Sequence, residues 1–225
     1  VKFETDLRQS LANRQHTIAV FFDLTKAYDM AWRYGIINSL YDFGLKGSLP
    51  KFIQNFLTDR YFKVRVGTTT SDSHPLTEGI PQGSVLSCTC FIIAINSITS
   101  ALPNTVSSLL YVDDLTIYCS GSNINMIQRQ LQLAINSLQT WSQRTGFQFS
   151  EAKTVSMHIC RKRHCPKSAP HLTMKNTPIR CVDNTQFLGL TLDSSLTWKP
   201  HIKTVKQKAN KTLDLLKKLS HTKWG

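Results

Sequence analysis

Leu109-Leu110-Tyr111-Val112-Asp113-Asp114-Leu115-Thr116-Ile117-Tyr118 sets two adjacent carboxylates inside a run of apolar, β-branched and aromatic residues. Such a run has the composition of a β-strand, from which aspartate is depleted, and a buried anion is costly without a partner. Two anions side by side call for a counter-charge. A divalent metal is the natural one, because hard cations prefer carboxylate oxygens. A second apolar run, Ile18-Ala19-Val20-Phe21-Phe22, also ends on a carboxylate, Asp23. Strand-borne aspartates that converge on one site are what two-metal nucleotidyl transfer requires. The plainer alternative makes Asp23 a turn or helix-cap residue and the doublet a hairpin tip, although a tip needs one Asx residue and not two anions.

The 225-residue chain is 41% hydrophobic, enough for a sizeable core in one domain or in a domain with an appendage. Its charge is uneven. Residues 1–150 carry 12 basic and 10 acidic side chains and residues 151–225 carry 15 and 4, so a net +2 precedes a net +11. A strongly basic rear part suits a phosphate-rich partner, with a solvated, charge-rich helix as the alternative. Six cysteines in a chain of this length, with no signal peptide, point to a reducing intracellular compartment, nuclear or cytoplasmic. His158, Cys160, His164, Cys165 and His171 gather in sequence, but the Cys160–Cys165 spacing is poor for a zinc knuckle and no second pair lies at the usual distance. The most apolar stretch, 85–98, carries Ser, Thr, Cys and Asn and is too short to span a bilayer, so no membrane partner is expected. Val1 in place of an initiator Met, and an end just after a helical pattern, suggest a fragment of a longer protein.

Residues 17–23 read as a buried strand, and 27–43 show apolar residues at helical spacing up to Gly44. Pro50 opens a second short helix with Phe52, Ile53, Phe56 and Leu57 on one side, and 61–66 alternates as a strand. A Gly79-Ile80-Pro81-Gln82-Gly83 loop leads into a buried helix from 84 to about 102. The doublet then forms a hairpin. A helix follows, capped by Ser122 or Asn123, with Ile124, Ile127, Leu131, Ile135, Leu138 and Trp141 on one face, and Gly146 ends it. Short strands at 147–149, 155–159, 172–182 and 187–192 precede a basic helix over 200–219. The pattern predicts an α+β core, one antiparallel sheet backed by helices.

Phe22-Asp23-Leu24-Thr25-Lys26-Ala27-Tyr28-Asp29, Glu78-Gly79-Ile80-Pro81-Gln82-Gly83-Ser84 and Tyr111-Val112-Asp113-Asp114 stand in the order and spacing of reverse transcriptase motifs A, B and C. Gly146-Phe147 with Lys153-Thr154 resembles motif D. Phe187-Leu188-Gly189-Leu190-Thr191-Leu192-Asp193, followed by Leu196-Thr197-Trp198-Lys199-Pro200-His201-Ile202, looks like the primer grip of non-LTR retrotransposon enzymes, most of all the jockey-type elements of arthropods. The resemblance covers nearly the whole chain. It implies a polymerase palm with a remnant of the fingers over 1–195 and the beginning of a helical thumb over 196–225.

The same resemblance implies an RNA-directed DNA polymerase that takes an RNA template, a DNA primer and dNTPs, with two Mg²⁺ (or Mn²⁺ in their place) and no small-molecule cofactor beyond metal. Asp23 and Asp113 would bridge the ions, Asp114 would be peripheral, and the Leu24 carbonyl would complete the shell. Tyr28 matches the steric gate against a ribose 2′-hydroxyl, core packing of the following helix being its plainer role. The motif A of RNA-dependent RNA polymerases usually has a second Asp at this position, whereas Asp29 here lies one residue later. Gln82 and Gly83 would meet the nucleotide, and Lys153 would act as general acid toward pyrophosphate or stand as a surface lysine. Phe187, Leu188 and Gly189 would position the primer end, and the lysines over 203–218 would touch the duplex backbone. The alternative function is a catalytically incompetent, nucleic-acid-binding remnant of a decayed element, against which the intact carboxylates argue. A glycosidase-like carboxylate pair would leave the basic tail and the Pro-Gln-Gly loop unexplained.

Overall fold

A computed structural model describes residues 2–161 and 170–220. After α1 (Lys2–Ala12) comes β1 (His16–Phe22), every residue of which is buried. Burial on both faces is why this strand reads as a continuous apolar run and not as an alternating one. Ile18, Val20 and Phe22 enter one core cluster and Ala19 and Phe21 another, as the two-residue period of a strand requires.

The helix predicted over 27–43 is shorter: residues 25–30 form turns, and α2 spans Arg33–Asp42. The reason is tertiary. The carbonyls of Tyr28 and Ala31 accept hydrogen bonds from the amides of Ile80 and Gly79, so a distant loop takes acceptors that a helix would have used. In α3 (Ser48–Leu57), Pro50, Ile53 and Leu57 are buried while Phe52 is 60% exposed, since consecutive helical residues cannot share a face. Residues 61–66 do not form one strand. Instead β2 (Tyr61–Phe62) pairs with β5 (His74–Pro75) and β3 (Arg65–Val66) with β4 (Thr69–Thr70), all of them exposed, so the alternation had no core to face.

The helix expected to be buried is α4 (Val85–Ile95), prolonged by a 3₁₀ turn over Asn96–Ala101, and it is buried on one face only: Cys90, Phe91, Ala94 and Ile95 are inside, Val85 and Ile92 exposed. Strands β6 (Ser107–Tyr111) and β7 (Asp114–Gly121) form the hairpin that carries the doublet. Helix α5 (Ile124–Thr145) starts where the Asn123 side chain accepts from the Asn125 and Met126 amides and ends at a left-handed Gly146, as the sequence predicts. Residues 147–149 make only a single bridge, Phe149 to Leu24, ahead of β8 (Val155–Ile159). Three two-residue strands follow, β9 (Thr173–Met174), β10 (Thr177–Pro178) and β11 (Arg180–Cys181). The hairpin β12 (Asn184–Phe187)–β13 (Leu190–Asp193) then leads to α6 (Lys199–Leu219).

The central sheet has the order β11-β8-β1-β7-β6 and is antiparallel except for β11, which runs parallel to β8. Residues of α2, α4 and α5 fill the face that carries Ile18, Val20 and Phe22. Phe3 and Leu7 of α1, with Phe187 and Leu192 of the last hairpin, cover the other face. The α+β class holds. Helix α6 buries no residue, and no described helix is long and apolar enough to cross a membrane.

Candidate functional site

The pairing of β1 with β7 sets Phe22 opposite Leu115, so Asp23 and Asp114 are the next residues out on neighbouring strands. Tyr111 pairs with Asp114, which leaves Val112-Asp113 as a two-residue turn. The doublet therefore straddles a hairpin tip, not the middle of a strand, and strand alternation does not decide which Asp faces where. Val112 holds a φ of 57°, a left-handed conformation that a β-branched residue adopts only under strain. Adjacent strands lie about 4.8 Å apart, so the three carboxylates share a small volume. Asp114 shows it: burial raises its pKa, and the charges of Asp113 and Asp23 raise it further.

A cavity of about 120 Å³ opens beside them, lined among others by Asp23, Asp114, Thr116, Lys153 and Phe187. Lys153 Nζ lies 3.3 Å from Asp23 Oδ2. Both groups are well exposed, so the pair adds little stability and the lysine can change partners. Thr116 is 1% exposed, and its hydroxyl has no hydrogen-bond partner among the described residues. Acceptor-only carboxylates above an orphaned hydroxyl fit a hydrated divalent cation. At the Leu24–Phe149 bridge, the hydrogen bonds run from Ser150 N to Asp23 O and from Thr25 N to Gln148 O. In such a pair the carbonyl of Leu24 itself points away from Phe149, towards the side on which β7 lies.

Tyr28 stacks on Phe91 with ring centroids 4.4 Å apart and planes 9° from parallel. Burial, then the Cys88 side chain, then the charge of Asp113 push its phenol pKa up. The half-buried ring thus packs on the core and sits within electrostatic reach of the doublet. Asp113 acts on the Tyr28 side, and Asp114 lines the cavity on the Phe187 side.

The loop before α4 is tied to the turns after β1. Gln82 Nε2 donates to Asp29 Oδ1 at 3.1 Å, and Arg33 donates to the carbonyls of Gly79 (2.7 Å) and Glu78 (3.1 Å). The Ser87 hydroxyl of α4 donates to the Pro81 carbonyl. Gly79 has a φ of 76°, and a Cβ there would stand 2.6 Å from the Asp29 carbonyl oxygen, so its own chain requires it. Gly83 differs. No described atom lies within 4 Å of where its Cβ would be, and its open side is available to an outside molecule. Arg33, and the bond from Gln82 to Asp29, escaped the sequence reading, because the partners lie roughly fifty residues apart in the chain and no local pattern marks them.

Phe187 packs against Phe3 and Phe21, with centroids 5.9 and 5.7 Å away, and so anchors the last hairpin to the sheet. Leu188 and Gly189 form its exposed turn. Asp193, also missed, is buried and accepts from the amides of Ser195, Thr197 and Trp198 at 2.8–3.1 Å. Burial alone would raise its pKa, but these donors outweigh it and hold the carboxyl below its usual range. An Asp followed two residues on by Ser195, in the turn ahead of a helix, is the Asx-turn signal that could have revealed it. Of the Cys/His segment, His158, Cys160 and His171 are described, while His164 and Cys165 lie outside the described residues.

Residues 2–192 match the family model described as reverse transcriptase (RNA-dependent DNA polymerase). The probable RNA-directed DNA polymerase from transposon BS of Drosophila melanogaster is 27% identical over 225 residues, covering 96% of this chain and 24% of that protein. The RNA-directed DNA polymerase from mobile element jockey of the same species is 24% identical, covering 88% of this chain and 22% of its own length. The chain thus spans about a quarter of the length of these curated relatives. Among solved structures, the apo telomerase of Candida tropicalis truncated from its C-terminal domain superposes with a TM-score of 0.60 at 16% identity, over 88% of this chain and 38% of that one, a likeness of fold. With motifs A to C in order and their carboxylates at one end of adjacent central strands, the chain belongs to the reverse transcriptase family.

Proposed function

We propose that this chain is the catalytic palm of a retrotransposon RNA-directed DNA polymerase of the jockey type, extending a DNA primer on an RNA template with dNTPs. Polymerases of this family use divalent metal ions. Two Mg²⁺, or Mn²⁺ in their place, would be held by Asp23, Asp113, Asp114 and the Leu24 carbonyl. Such ions, when bound, acidify the primer 3′-hydroxyl and neutralise charge on the triphosphate. The chain's own residues supply the rest. Tyr28 would crowd a ribose 2′-hydroxyl, and Gln82 and Gly83 would meet the incoming sugar. Lys153, whose Nζ lies 3.3 Å from Asp23 Oδ2, would give its proton to the departing pyrophosphate. Phe187 fixes the hairpin whose exposed Leu188-Gly189 turn would meet the primer end, and α6 offers lysines to the duplex.

The observation that carries this reading is the meeting of Asp23 with the Asp113-Asp114 tip at one end of β1 and β7. RNA-templated primer extension tests it, with flanking polymerase segments supplied in the same polypeptide. Asp113→Asn abolishes extension while primer–template affinity stays nearly unchanged. Extension at the parental rate by the Asn variant would remove Asp113 from the metal site and overturn the reading.

A further inference from the structure

A second group of metal-ligating side chains lies at the other end of the same strands. His16 opens β1, His158 lies in β8, and Cys160 follows β8 directly. The pairs Ile18↔His158 and Thr17↔Ile159 make Cys160 the next residue across from His16, with His158 on the diagonal. By strand alternation all three lie on the sheet face that carries Ile18. Their donor atoms all lie within 4.8 Å of one another, with His16 Nδ1 and His158 Nε2 3.1 Å apart. Tetrahedral zinc with bonds of about 2.0–2.3 Å sets its donors roughly 3.3–3.8 Å apart, inside the span this cluster already shows. His16 is 4% exposed, and His158 and Cys160 are half-buried. Beside His16 a cavity of about 650 Å³ runs past the start of α5, giving an entry path and room for water as a fourth ligand.

We propose that His16, His158 and Cys160 form a zinc site that staples the start of β1 to the end of β8. The donor set decides the metal. Imidazole and thiolate favour zinc, whereas Mg²⁺ takes oxygen, so this site and the aspartate site select different ions. Because the site joins β1 to β8 at the end of β1 away from the carboxylates, its role is to hold those two strands together. It does not depend on the polymerase reading.

The experiment is a Co²⁺ titration of the 225-residue chain, with Mg²⁺ in excess to occupy the carboxylates and a non-chelating reductant. The parent chain takes up one equivalent, with intense tetrahedral visible bands and a near-ultraviolet thiolate-to-cobalt transition, and Zn²⁺ displaces both. Cys160→Ser removes the thiolate transition, and His158→Gln weakens binding tenfold or more. No thiolate transition in the parent, or one that survives Cys160→Ser, overturns the site and leaves a hydrogen-bonded histidine pair. The parent titration can do this alone, so a misfolded variant does not protect the proposal. His16 is left intact because its burial makes a folding defect hard to separate from weakened metal binding.

Discussion

Single residues of this site serve packing and chemistry at once, and the two can be pulled apart. Tyr28 stacks on Phe91, an aromatic pair worth about 0.5–1.5 kcal/mol beyond burial, while the charge of Asp113 acts on its phenol. Tyr28→Ala should therefore lower stability and, separately, raise rNTP use relative to dNTP in primer extension. Tyr28→Phe keeps the ring and should change neither. Equal loss of both nucleotides in the Ala variant would reduce Tyr28 to a core residue. Asp114 shows the opposite tension, since burial and its two anionic neighbours raise its pKa. Between the ordinary carboxylate range and that raised value the folded chain binds the extra proton, so stability falls as pH rises through the window. Asp114→Asn should thus raise the thermal midpoint of the metal-free chain at neutral pH, and saturating Mg²⁺ should narrow the difference. A lower midpoint for the Asn variant would mean that the carboxylate is structurally satisfied without metal.

At the scale of elements, the turn between β13 and α6 rests on one carboxylate. Asp193 gathers the amides of Ser195, Thr197 and Trp198 and so sets the direction in which the basic helix leaves the sheet. Removing a buried charged acceptor and orphaning its donors costs about 1–3 kcal/mol, so Asp193→Ala should lower the urea midpoint accordingly. Because the native pKa is depressed, this contribution is present above the unfolded carboxylate value and is lost as pH falls through the folded one. The parent and Ala variant should therefore converge in stability in acid, and an undiminished gap there would remove the carboxylate's charge from the account. The elements that rest on local patterns, β1, α5 with its Asn123 cap and Gly146 stop, and α6, were legible in the sequence. The truncated α2 and the split strands over 61–66 were not. Their residues answer to a loop fifty positions away, or to solvent, and periodicity reports neither.

Across the whole molecule, charge and shape divide. The front of the chain is nearly neutral and supplies three strands of the central sheet, β1, β6 and β7, with the three carboxylates, while the basic excess lies after residue 150, in the part that adds β8, β11 and α6. On α6, Lys203, Lys208, Lys211 and Lys218 share a broad face opposite Ile202, Val205, Leu213 and Leu216, and none of the helix is buried. Neutralising Lys203, Lys206, Lys208 and Lys211 should weaken primer–template binding in a salt-dependent way, cutting the slope of log affinity against log salt by up to about 0.9 for each phosphate left without its lysine. An unchanged affinity and slope would make α6 a solvated helix with no part in duplex binding. The sequence by itself determined the motif order, the hairpin that carries the doublet, the α+β class and the basic tail, because strand composition, helix caps and charge are properties of neighbouring residues. Only the tertiary structure decided that Asp23 lies beside the doublet, that Gly79 is demanded by Asp29, and that His16 meets His158 across 142 positions. Those outcomes depend on which strands pair and in what register, and pairing is settled by burial of both sheet faces, which no local stretch of sequence contains.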